Sequence, residues 1–329
     1  MYNSSEREKT LKCDEPRTTS KGIRGVQVQA STVLFLFFVF SCLSLNPLVS
    51  AEEVKSRAAV VMDAKTGMVL YAKNPQNYLM PASTTKLMTA LVVLENVSLN
   101  DIVTVSRKAA HTAPTKAGLR EGDKVTVETL LYAVLMKSAN DAAVALAEAV
   151  AGSEGEFVKM MNRKALAIGA NNTKFINANG LPGKGQYITA YDLSKIMREA
   201  ICYPVLKEIL NTRVAEVSTQ AGKTIFMKNT NRLLWSDEDI VGGKTGYTRQ
   251  ARHCFVCVCE RENETLIVAL LSAPSRHALW KESEDLVAFG LKVMKHEEEP
   301  FASITGPYSE TMKLTKASYT KKIRKKKQE

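Results

Sequence analysis

The chain is 329 residues long, with 45% hydrophobic and 24% charged residues and a formal net charge of +11. That length can bury a sizeable core, and that composition excludes a wholly disordered chain. Residues 1–51 hold six basic and four acidic residues (+2) and residues 316–329 hold seven basic and one acidic (+6), which leaves +3 for the body. The basic character is therefore largely a property of the tail and gives no reason to expect a nucleic-acid-binding face.

From the N-terminus, Lys21 and Arg24 precede a 13-residue apolar run, Val33 to Leu45, followed by Pro47 and the small-residue pattern Val49-Ser50-Ala51. A positive region, a short apolar stretch and an A-x-A-like site predict an export signal over 1–51, cut after Ala51. The run is short for a membrane span, which needs about 20 residues. Residues 52–295 are expected to form the folded domain, and 296–329 a polar basic tail without fixed structure. That tail offers at most weak peripheral contact with a membrane or an anionic wall polymer. With the signal removed, Cys202, Cys254, Cys257 and Cys259 remain. The last three fall in a strand-like HCFVCVC, where alternation sets Cys254 on one face and Cys257 and Cys259 on the other. Buried thiols are expected there rather than a zinc site, whose ligands must converge.

The segments Arg57–Asp63 and Met68–Lys73 flank Ala64-Lys65-Thr66-Gly67 and read as a hairpin. Pro81-Ala82-Ser83 opens a helix on which Leu87, Leu91 and Leu94 share a face. Residues 101–127 read as short strands and loops. Helices are predicted at 127–136, 140–151, 154–168 and 190–201, with the glycine-rich loop NANGLPGKGQY at 177–187 and a further short helix after Pro204. Strands are predicted at 213–217, 223–228, 251–260 and 264–272, with a tip at Glu262-Asn263, and a last helix at 275–294. The fold class is α/β in the α+β sense. The N-terminal hairpin and the C-terminal strands are expected to form one antiparallel sheet flanked by helices, with a helical subdomain inserted between them.

Three short motifs carry chemistry. In Ser83-Thr84-Thr85-Lys86, positions i and i+3 share a helix face, so the lysine amine comes near the serine hydroxyl. A lysine with a lowered pKa can activate such a hydroxyl as a nucleophile. The plain alternative is a capped surface helix. In Ser138-Ala139-Asn140, the Ser138 hydroxyl is expected to relay a proton, and the Asn140 amide to hold a substrate carbonyl and the lysine; the alternative is again a helix cap. In Lys244-Thr245-Gly246, on an edge strand, Gly246 lets a peptide approach the backbone, while Lys244 and Thr245 suit a terminal carboxylate. A nucleotide-binding Walker loop would need glycine where Glu238 stands.

Taken together, in this order, the motifs resemble those of the low-molecular-mass penicillin-binding proteins, specifically the D-alanyl-D-alanine carboxypeptidase family. VVMDAKTGMVLYAKN, PASTTKLMTALVVLE, LLYAVLMKSANDAAVALAE, FINANGLPGKGQYITAYDLSKI and GGKTGYT carry the resemblance, from about Ala58 to Leu291. It implies a β-lactamase/transpeptidase-like fold and an exported serine peptidase without metal or organic cofactor. Its partners would be peptidoglycan stem peptides, with β-lactams as covalent inhibitors. It implies Ser83 as nucleophile, Lys86 as base, and an oxyanion held by backbone N–H groups of Ser83 and Tyr247. Arg276 would help bind the terminal carboxylate. Arg252 departs from the pattern, standing where the family has glycine after the alanine. The C-terminal β-domain and amphipathic helix of many members are not expected in the 33 residues from Glu297 (329 − 296). A class A β-lactamase would need an E-x-x-L-N carboxylate between the second and third motifs, and Glu208-Ile209-Leu210-Asn211 is one residue too short. A D,D-endopeptidase uses the same motifs and stays open, while intact Ser83 and Lys86 argue against a non-catalytic wall-binding module.

Overall fold

The computed structural model describes residues 54–303; the expected signal segment and residues 304–329 lie outside the described residues. A hairpin of β1 (Ala58–Asp63) and β2 (Val69–Lys73) comes first, then a 3-10 turn (Ala82–Thr85) leading directly into α1 (Lys86–Leu94). Next come β3 (Ile102–Thr104), α2 (Arg107–Ala110), β4 (Lys124–Thr126), α3 (Val127–Leu135), α4 (Asn140–Ala151), α5 (Glu154–Ala167), α6 (Ala190–Ala200) and α7 (Pro204–Asn211). The described residues close with β5 (Val214–Ser218), β6 (Thr224–Lys228), a second 3-10 turn (Arg232–Trp235), β7 (Ile240–Thr248), β8 (Arg252–Arg261), β9 (Glu264–Ala273), α8 (Arg276–Met294) and β10 (Phe301–Ser303).

Six strands form one sheet in the order β10-β2-β1-β9-β8-β7, antiparallel throughout except for the parallel β10–β2 pair. The central strands are apolar on both faces, and the twofold alternation divides them between two cores. Ala58, Val60, Met62, Val256, Val258, Ile267, Ala269 and Leu271 pack with the helical lobe. Ala59, Val61, Phe255, Val268 and Leu270 pack beneath Leu279, Trp280, Leu286 and Leu291 of α8. Each buried Val, Leu, Ile, Phe or Met among these contributes about 1.5–3 kcal/mol, so a register slip, which would exchange the two sets, is strongly disfavoured. Cys254 faces the helical lobe while Cys257 and Cys259 face α8, all three as buried free thiols. Burial pushes the Cys254 and Cys259 thiols up to about 12, so both stay protonated. The β8–β9 tip has Glu262 and Asn263 at φ 50° and 66°, the two left-handed positions of a tight hairpin turn.

Two expectations change. The predicted strands at 213–217 and 223–228 pair with each other as β5–β6 and stay out of the main sheet. Ile225 and Met227 are buried but Val214 and Phe226 are exposed, and a ribbon with one wet face cannot occupy a layer covered on both sides. The edge position belongs to β7, as expected for the strand that carries Lys244-Thr245-Gly246; its glycines kept only its full length, Ile240–Thr248, from showing in strand propensity. The ordered body also continues past residue 295. Phe301–Ser303 pair with Tyr71–Lys73, and the Phe301 ring stacks on Tyr71 with centroids 5.3 Å apart.

Candidate active site

The first motif lies where the chain turns from hairpin to helix. Ala82 takes φ +46°, a left-handed conformation that costs an L-residue about 1–2 kcal/mol. The 3-10 turn that follows holds Ser83, half-buried, one turn before Lys86. Ser83 thus belongs to a 3-10 turn and not to the α-helix proper, but the i, i+3 spacing still brings the two groups together: Lys86 Nζ lies 3.0 Å from Ser83 Oγ. Gly180 makes this turn possible. A Cβ there would stand 1.8 Å from the Ala82 carbonyl oxygen, and its φ is +83°.

Lys86 is completely buried at the start of α1, which excludes the surface-helix alternative. Its amine contacts Asn140 Oδ1 at 2.7 Å and the Asn179 carbonyl oxygen at 2.6 Å, besides Ser83. Burial drives its pKa well below that of an ordinary lysine. The charge of Lys244 lowers it further, and the Asp141 carboxylate opposes both.

The second motif is not a helix cap. The N-cap of α4 is Ala139, with no side-chain bond to the helix. Ser138 sits at φ +60° and its hydroxyl accepts from Lys244 Nζ at 3.0 Å. Asn140 Nδ2 donates to the carbonyls of Ala113 (3.0 Å) and Pro114 (2.9 Å), and its backbone N–H to Thr115 O. Both amide protons are thus taken by the protein, so the geometry gives Asn140 a hold on Lys86 but leaves no donor for a substrate carbonyl. Behind it, the buried Asp141 carboxylate accepts backbone N–H bonds from Ala117, Gly118 and Leu119 at 2.9–3.1 Å, which fixes the loop whose carbonyls hold Asn140.

The third motif runs along β7. A Cβ on Gly246 would stand 2.9 Å from the Ser83 nitrogen, so this strand passes directly against the nucleophile's backbone. Lys244 is fully buried, bonds Ser138 and the Thr245 carbonyl, and has its pKa pulled down to about 7 by burial. The Thr245 hydroxyl lies 2.7 Å from that of Thr230. Tyr247 is exposed, its ring 4.6 Å from that of His253, its cross-strand partner. Arg276 is exposed at the first residue of α8; burial lowers the pKa of His253, and the charge of the nearby Arg276 lowers it further. It therefore stands at the rim, on the Tyr247–His253 side.

Ser83, Lys86, Asn140, Ser138, Lys244 and Gly246 thus converge from three separate stretches of chain. The Asn179 carbonyl, Asp141 and Thr230 were not singled out from the sequence. A backbone carbonyl has no residue signature; the only signal for Asn179 was the glycine-rich loop that contains it.

A family model described as D-alanyl-D-alanine carboxypeptidase matches residues 46–275. The carboxypeptidase DacF of Bacillus subtilis is 37% identical over 228 residues, 68% of this chain and 58% of that protein, so the chain spans less than two thirds of DacF's length. DacC of Escherichia coli, also a D-alanyl-D-alanine carboxypeptidase, is 35% identical over 282 residues, 82% of this chain and 69% of DacC. A D-alanyl-D-alanine endopeptidase of Pseudomonas aeruginosa is 34% identical over 239 residues, 68% of this chain and 77% of that protein. Among solved structures, a variant of a Streptomyces DD-transpeptidase superposes with a TM-score of 0.69 at 31% identity, covering 72% of this chain and 98% of that one. A Mycobacterium tuberculosis D-alanyl-D-alanine carboxypeptidase does so with 0.70 at 30%, covering 77% and 95%. With its motifs gathered into one site on the fold of these enzymes, the chain belongs to the D-alanyl-D-alanine carboxypeptidase family of serine peptidases.

Proposed function

We propose that this chain removes the terminal D-alanine from peptidoglycan pentapeptides through an acyl-enzyme on Ser83. The observation that carries the reading is the set of partners around Lys86. A neutral amine has two N–H donors and one lone pair. Asn140 Oδ1 and the Asn179 carbonyl take the two donors, and the lone pair is left for the Ser83 O–H. Burial and the neighbouring Lys244 favour that neutral form.

Ser83 Oγ then attacks the carbonyl of the penultimate D-alanine, and its proton passes to Lys86. Backbone N–H groups of Ser83 and Tyr247 hold the oxyanion. Lys244, Thr245 and Arg276 receive the substrate's terminal carboxylate, and the absence of a side chain at Gly246 admits the peptide against β7. The leaving amine takes a proton by way of Ser138, D-alanine departs, and water hydrolyses the ester. Asn140 acts on Lys86 as a positioning group. A β-lactam acylates the same Ser83. Hydrolysis of cross-links is the second reading, favoured by the similarity to the Pseudomonas endopeptidase.

The reading includes export, with residues 1–51 as a cleaved signal, 52–295 as the catalytic domain extended by β10, and the basic residues of 316–329 as at most a weak contact with membrane or wall polymer. Among the described residues no helix is long and apolar enough to cross a membrane. The test is product analysis: a pentapeptide should lose one alanine, and a cross-linked dimer should separate only if the second reading holds.

A further inference from the structure

Residues 229–231 form a trio with unequal roles. Asn229 and Asn231 are buried. Asn229 Nδ2 donates to the carbonyls of Leu210 and Thr212, and its Oδ1 accepts from the Asn231 N–H. Asn231 Oδ1 accepts from the Leu233 N–H. The backbone between them is therefore fixed on both sides. Thr230, in contrast, is exposed, and its N–H is tied to the Met136 carbonyl, two residues before Ser138. Its side chain is consequently aimed by a rigid frame, and what it meets is the Thr245 hydroxyl at 2.7 Å.

Two hydroxyls in contact share one proton between them and leave the other free to rotate. At 2.7 Å the two hydroxyls stand side by side, near enough for one carboxylate to reach both. A carboxylate arriving from solvent can accept one O–H from each threonine, the two hydroxyls turning from one another to the ligand. The charge comes from Lys244, one residue away along β7 and linked to the same frame through Ser138.

We propose that Thr230 is a substrate-binding residue that, paired with Thr245, grips the terminal carboxylate of the peptide. The inference rests on the carboxypeptidase reading and adds to it a residue outside the three motifs. It makes the loop between β6 and the second 3-10 turn part of the specificity surface.

The test compares wild type, Thr230→Val and Thr230→Ser on a D-Ala-D-Ala-ended pentapeptide and on the same peptide with a C-terminal carboxamide. Valine keeps the branched shape and removes the hydroxyl; serine keeps the hydroxyl. A hydrogen bond to a charged group is worth about tenfold or more in binding. The expected result is a KM about tenfold higher for the acid with Thr230→Val, kcat within about twofold, no added loss for the amide, and near-normal behaviour of Thr230→Ser. Equal losses on both peptides, or no change on either, would overturn the role of Thr230 while leaving the carboxypeptidase reading intact. Failure of the wild type to cleave the acid peptide would remove that reading and this inference with it.

Discussion

Lys86 Nζ lies 3.0 Å from Ser83 Oγ and is completely buried. A lysine in that position is either a costly buried cation or a neutral base. The low dielectric around it, with Lys244 also in the core, selects the second.

Replacing Lys86 by arginine keeps a cation but removes the base, because a guanidinium does not give up its proton at working pH. Lys86→Arg is expected to lower the rate of Ser83 acylation by at least about a hundredfold, as loss of general-base catalysis does. Burst kinetics with a chromogenic β-lactam measure this step directly. Near-normal acylation would take the base role away from Lys86.

The pH profile has a definite sign. Lys86 works when neutral, so kcat/KM falls on the acid side as it takes up a proton. Lys244 carries its charge below about pH 7 and lowers the pKa of Lys86. Removing that charge with Lys244→Met raises the Lys86 pKa, so the acid limb moves to higher pH whatever happens to the height of the profile. A limb that stays put or moves down would show that the two lysines are not coupled.

These relationships were unequally legible in the sequence. Ser83 and Lys86 could be paired because a helical turn fixes residues three apart, and the 3-10 turn preserves that proximity. The split of Cys254 from Cys257 and Cys259 followed from strand alternation alone. The partner of Ser138 did not follow: its hydroxyl meets Lys244, 106 residues away, through a contact that only the folded sheet creates. Lys244-Thr245-Gly246 marks a strand in the sequence but not the full length of β7, because Gly242, Gly243 and Gly246 lower strand propensity where close approach requires glycine. The Asn179 carbonyl was invisible for a simpler reason, since every residue has one.

Gly180 puts the loop at 177–187 against the nucleophile turn. Gly180→Ala would drive a methyl into the Ala82 carbonyl and strain a φ of +83°. The expected cost exceeds about 2 kcal/mol, with loss of activity even in the folded fraction, because Asn179 can no longer hold Lys86. Thermal unfolding and β-lactam labelling on the same sample test both parts.

Asp141 chiefly carries structure; its charge also raises the Lys86 pKa, the smallest of the three effects there. Asp141→Ala leaves the N–H groups of Ala117, Gly118 and Leu119 without their acceptor. The expected loss is roughly 3 kcal/mol, seen as a lower urea midpoint at unchanged slope. Activity should fall too, since the same loop secures Asn140. A stability within about 0.5 kcal/mol of wild type would mean the loop is held by other contacts.

The central claim is that Ser83 is the nucleophile of a D-Ala-D-Ala carboxypeptidase. Mass analysis of a muropeptide pentapeptide incubated with wild type and with Ser83→Ala tests it most directly. The expected result is the loss of one alanine with wild type and an unchanged pentapeptide with the variant, at equal amounts of folded protein. Cleavage by Ser83→Ala at the wild-type rate, or an intact pentapeptide after incubation with wild type, would contradict it.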